Sequence, residues 1–185
     1  MNAPDTSQWS QAVSFDAFSG ATPLAQMKFE HVATETLDLF TGMTAGSLGE
    51  TSALIIIVCG LYLIVRRMMD WRIPVGILLS TFVITEALRI TTGSDVSGEF
   101  MLLSGGLMLG AVFMATDMVG SPVTPLGIWI YGFLIALLTV MIRLYGGLTE
   151  GVMYAILFAN AASPLIEELT QPRVLGAGGK EAINE

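Results

Sequence analysis

The sequence predicts an all-α integral membrane protein: a bundle of about five transmembrane helices behind an N-terminal extramembrane segment. Three observations predict it. Of the 185 residues, 53% are hydrophobic and only 13% charged, whereas an ordinary soluble domain is roughly 45–50% apolar and about a quarter charged. Mean hydropathy is +0.69. Five separate stretches approach the roughly 20 apolar residues that cross a hydrocarbon core about 30 Å thick, and the links between them are short.

Residues 1–48 differ from the rest. They carry Asp5, Asp16, Lys28, Glu30, His31, Glu35 and Asp38 among many small polar residues, and hold no apolar run of membrane length. From Gly49 the composition switches. The expected spans run from about Thr51 to Val65 (a little short), Ile73 to Ile90, Phe100 to Thr116, Pro125 to Leu144 and Gly151 to Leu169, leaving 171–185 as a tail. The links RRMMDWR, TTGSDVSGE, DMVGSPVTP and YGGLTE are too short to hold further domains, so 49–170 reads as one membrane domain.

Composition also excludes function classes. One Cys and one His rule out a disulfide framework or a Cys/His metal centre, and no metal ligand or catalytic residue stands out. Eight basic against sixteen acidic residues argue against nucleic acid, whose affinity comes from phosphate neutralisation. The lipid bilayer is the partner that the composition demands.

Lysine and arginine set the orientation. Arg66, Arg67 and Arg72 lie in the first link and Arg173 and Lys180 in the tail, which five spans place on one side. Lys28, Arg89 and Arg143 lie on the other, with nine carboxylates. The N-terminal segment is therefore expected outside and the C-terminus in the cytoplasm. Because MNAPDTSQWSQ has neither a basic n-region nor an apolar h-region, either the segment crosses unaided or the chain is the back part of something longer. The second is favoured.

The most informative stretch is Asp16-Ala17-Phe18-Ser19-Gly20-Ala21-Thr22-Pro23-Leu24. It reads D-x-x-[ST]-G-A-T and resembles the acceptor site at which flavin transferases attach FMN through a phosphoester to threonine. The residue types suit that chemistry. Thr22 supplies the hydroxyl, small Gly20 and Ala21 let backbone amides approach a flavin phosphate, and Pro23 fixes the chain just beyond. Short motifs also occur by chance, and read alone this one is more often a Ser/Gly/Ala turn with an incidental Asp than a flavin site.

Two downstream blocks extend the likeness: GSLGETSALIIIVCGLYLIVRRMMDWRIPVGIL (Gly46–Leu78) and GAVFMATDMVGSPVTPLGIWIYGFLIALLTVMIRLYGGLTEGVMYAILFANAASPLIE (Gly110–Glu167). Together the three blocks resemble the D subunit of the Rnf ion-translocating ferredoxin–NAD oxidoreductase and the B subunit of the sodium-pumping NADH–quinone reductase. The plain DMVGSPV link is closer to the Rnf protein. The resemblance implies a membrane subunit of a multisubunit redox complex in a bacterial or archaeal cytoplasmic membrane. It implies FMN held covalently on Thr22, with Asp16, Ser19, Gly20 and Ala21 presented to a flavin transferase, as an electron relay coupled to Na+ or H+ transport. Proteins of this kind have two membrane repeats, of which this chain matches the second; the first would carry Thr22 outside.

Other residues carry weaker expectations. Ser47 and Glu50 sit at the mouth of the first span, where helix amides could face the flavin phosphate; otherwise Ser47 or Thr51 caps the helix with Glu50 in its first turn. Glu86 and Arg89, three residues apart in the second span, form either an ion pair or part of an ion pathway. Asp117 is a further pathway candidate, or a surface residue ending the third span. Gly105, Gly106 and Gly110 permit close packing or a broken helix. Cys59 reads as a packing residue, Asn160 as a hydrogen-bonding partner of a neighbouring helix, and Trp71, Trp129 and Tyr131 as an interfacial belt. The competing reading is a pore or carrier unit of an inverted-repeat transporter, in which D-x-x-S-G-A-T is an ordinary outer loop.

Overall fold

The computed structural model describes residues 23–30, 40, 52–93 and 96–171, and its regular structure is all helical, with no strand among them. A short helix α1 (Pro23–Glu30) precedes α2 (Ala53–Val65), α3 (Arg72–Thr92), α4 (Gly98–Leu103), α5 (Leu107–Leu109), α6 (Pro125–Tyr145) and α7 (Val152–Thr170). All five apolar segments are thus helical. By length and composition α3, α6 and α7 can cross a membrane, and α2 is a shorter apolar helix of 13 residues. Their outward faces are apolar, with Ile55, Val58, Leu79, Phe133, Leu157 and Phe158 among the exposed side chains. Together with the family findings below, this makes the chain a multi-pass membrane protein.

Helix α2 starts later than its sequence suggested. Ser52, in an extended conformation (φ −111°, ψ 100°), is the N-cap and accepts from Ile55 N at 3.5 Å. The first turn is therefore apolar, with no acidic residue in it. Cys59 is exposed rather than packed. Helix α6 begins where Pro125 predicts, behind Thr124, whose hydroxyl accepts from Gly127 N at 3.2 Å.

The third apolar segment is interrupted. Helix α4 ends at Ser104, which is extended (φ −92°, ψ 137°), and Gly105 follows in the left-handed region at φ 68°. The chain re-enters a helix at Leu107, and Gly110–Met114 form a π-helical turn in which Ala115 N–H donates to Gly110 O five residues back, at 2.8 Å. Glycine at 105 makes the break inexpensive, because the left-handed conformation costs other residues roughly 1–2 kcal/mol.

Helix α6 is the hub, packed on α3 along one face and α7 along another. Gly132 allows the first approach: a methyl there would meet the backbone of Gly76 at 3.2 Å and of Ile77 at 3.3 Å. Small residues at such crossings let helices gain dispersion where no hydrophobic drive separates protein from lipid. Tyr131, expected in the interfacial belt, is instead fully buried and donates to Asn160 Oδ1 of α7 at 2.5 Å, which gives Asn160 the interhelical bond its sequence suggested. Buried Thr81 and Thr85 donate to the carbonyls of Ile77 and Thr81, both at 2.8 Å, so their hydroxyls need no outside partner.

Three substitutions test the packing and the break by thermal unfolding in detergent. Gly132→Ala is expected to destabilise by about 1–3 kcal/mol through overpacking against backbone, despite its better helix propensity. Gly147→Ala, with open space around it, is the neutral control. Gly105→Ala is expected to lose about 1–2 kcal/mol from the left-handed conformation alone.

Candidate functional site

The polar groups that the fold gathers lie at one end of the bundle, where α3 and α6 finish, α4 and α7 start, and α1 rests. Arg143 is the central one. It stands in the last turn of α6, only 4% exposed, and its guanidinium donates to Met101 O at 2.7 Å and Ser104 O at 3.2 Å. These are carbonyls at the C-terminal end of α4, the negative end of that helix, which the break leaves without their helical partners. A cation aimed at them is stabilised where water is scarce. A methyl on Gly105 would lie 2.8 Å from Glu150 Oε1 and 3.3 Å from Arg143 Nη2, so the glycine also leaves room for these two charged side chains.

The other end of α4 is held by Glu86, whose Oε1 accepts from Gly98 N at 3.1 Å, while Ser97 Oγ accepts from Phe100 N at 3.3 Å. Glu86 also pairs with Arg89 at 3.4 Å, on side chains 29% and 52% exposed. The two ionisable residues of the second span are therefore an ion pair that caps a neighbouring helix. Asp117 lies at the opposite end of the bundle, exposed, accepting from Val119 N at 3.4 Å. The three pathway candidates do not form one cluster. Beside Asp117's link, an open cleft of about 410 Å³ lies between residues such as Arg67, Trp71 and Ser121.

Helix α1 rests against the first of these ends. Leu24 is 6% exposed and packs with Phe100, and Met27 joins the same cluster. Lys28 Nζ donates to Arg143 O at 3.1 Å in the last turn of α6, to Gly146 O at its C-cap, and to Leu148 O at 2.8 Å in the link that follows. The motif residues Asp16, Ser19, Gly20, Ala21 and Thr22, together with Ser47 and Glu50, lie outside the described residues. Chain order nevertheless sets Thr22 directly before Pro23, the first residue of α1. Pro is favoured at a first helical position.

Sequence reasoning missed Lys28 and Arg143 as site residues, counting both only as charges on the outer side. For Arg143 there was a signal, an ionisable residue inside an otherwise apolar run. Lys28 had none, because its acceptors lie 115 to 120 residues away.

Known proteins resemble this chain over nearly its whole length. The model of the NQR2, RnfD, RnfE family matches residues 2–176. The D subunit of the Na(+)-translocating ferredoxin:NAD(+) oxidoreductase complex of Acetobacterium woodii is 45% identical over 165 residues, covering 87% of this chain and 50% of that protein. The D subunit of the proton-translocating ferredoxin:NAD(+) oxidoreductase complex of Clostridium ljungdahlii is 40% identical over 181 residues, 91% of this chain and 55% of that protein. The B subunit of the Na(+)-translocating NADH-quinone reductase of Pseudoalteromonas atlantica is 41% identical over 164 residues, 82% of this chain and 40% of that one. The chain spans about half the length of the curated relatives it matches. With one family model running through the threonine motif, the seated α1 and all five apolar segments, this chain belongs to the NQR2, RnfD, RnfE family.

Proposed function

We propose that this chain is the flavin-bearing part of a membrane subunit of an ion-translocating ferredoxin:NAD oxidoreductase complex of the Rnf type, with FMN linked through its phosphate to Thr22. The observation that carries the reading is the family match across residues 2–176, with the D subunits of two such complexes 40–45% identical over most of this chain. The D-x-x-S-G-A-T stretch lies within that match and ends at the threonine before α1.

In this reading residues 1–48 are an extracytoplasmic attachment segment, 49–170 the membrane domain and 171–185 a cytoplasmic tail, in a bacterial or archaeal cytoplasmic membrane. A flavin transferase reads Asp16, Ser19, Gly20 and Ala21, and the Thr22 hydroxyl becomes the ester oxygen. FMN, when bound, supplies one- and two-electron redox chemistry. The chain supplies the rest. Pro23 and α1 fix the direction in which the segment leaves its attachment point, and the amides of the first turn favour a phosphate there. Arg143 and Glu86 hold the interrupted third segment, and the broken helix suits the ion-transport side of such a complex. Other members of the complex supply the NAD and ferredoxin sites.

Co-expression with a flavin transferase tests the proposal. The full chain is expected to show in-gel flavin fluorescence and a mass increase of one FMN, both lost in Thr22→Ala. A wild-type chain without flavin, indistinguishable from Thr22→Ala, overturns it in favour of a flavin-free carrier unit.

A further inference from the structure

We infer that Lys28 is a positioning residue: it seats the helix that follows the flavin-bearing threonine on the C-terminal carbonyls of α6, making the flavin a fixed extension of the membrane domain. The inference rests on the reading of Thr22 above and adds what that reading leaves open, namely how the attachment segment is held to the bundle.

The geometry is specific. An ammonium group has three donors, and Lys28 Nζ meets three carbonyls, those of Arg143, Gly146 and Leu148. They cluster where α6 ends, with Gly146 as its C-cap, so the cation also meets the negative end of a 21-residue helix. Leu24 stands four residues before Lys28, on the same face of α1, and is buried against Phe100 of α4. One face of the helix therefore has an apolar foot and a charged one, on two different elements. An isolated helix of eight residues is too short to persist in water, so this seat is what keeps α1 folded and its start in place. Arg143 lends its carbonyl to Lys28 while its guanidinium holds α4, so both feet of α1 stand on elements that the same arginine joins.

Holding a reactive group in one place removes the orientational freedom that a tether would leave it. Lys28 acts on the attachment point through α1.

Two measurements on the flavinylated full chain in detergent or nanodiscs test the seat. Acetylation of wild-type protein by a water-soluble succinimidyl ester, followed by mass spectrometry, is expected to modify Lys28 about tenfold or more slowly than free Nα-acetyl-lysine, the protection of about one charge-assisted hydrogen bond. Flavin fluorescence anisotropy is expected to fall in Lys28→Met and to return to the wild-type value in Lys28→Arg, which keeps charge and donors. Absence of flavin from the wild type overturns the reading of Thr22 and this inference with it. Flavin present, with Lys28 labelled as fast as the free amine, overturns this inference alone, as does wild-type anisotropy in Lys28→Met. The labelling uses wild-type protein, so it decides even if Lys28→Met is not recovered.

Discussion

A helix broken inside an apolar bundle leaves carbonyls without helical partners, and the chain must bring donors to them. In this protein the donors come from Arg143. Its guanidinium closes the end of α4 through Met101 O and Ser104 O, and it does so from inside the bundle. Burying an arginine is tolerable only because those carbonyls receive it, and leaving the carbonyls open is avoided only because the arginine is there. Neither feature is stable without the other.

From this exchange the rest of the arrangement follows. Arg143 belongs to α6, so the break in the third segment is tied to the helix that also packs on α3 through Gly132 and on α7 through Tyr131 and Asn160. Its own end then presents carbonyls to Lys28. One helix therefore organises the lipid-facing helices, the interrupted segment and α1. Glu86 completes the frame by capping the start of α4 from α3. Charges inside apolar segments often mark ion routes, but here Glu86, Arg89 and Arg143 all hold helix ends or one another.

Much of the fold was legible because its signal is local. Apolar runs announce α2, α3, α6 and α7 to within a residue or two, and Pro125 marks the start of α6. Gly105 and Gly106 allowed a broken helix without requiring one; the choice depends on Arg143, some 40 residues on, being able to reach the gap. Tyr131 shows the converse failure. An aromatic near a span end fits an interfacial belt, and only the approach of α7 with Asn160 makes it a buried one. The attachment motif could be read from residue types in order, since a phosphoester needs a hydroxyl and small neighbours. Its anchorage could not, because Lys28 meets backbone carbonyls, which leave no trace in sequence.

The shortness of α2 reaches beyond the protein into the lipid. At about 1.5 Å per residue its 13 residues measure about 20 Å, roughly a third less than a hydrocarbon core of about 30 Å. A short apolar helix is met by local thinning of the bilayer, by snorkelling of flanking residues or by a protein neighbour, whereas α3, α6 and α7 are long enough for the full depth. However it is met, the mismatch falls on α2, whose N-terminus shares an end of the bundle with α1. Where lipid meets it, longer acyl chains raise the cost of that mismatch and shorter ones lower it.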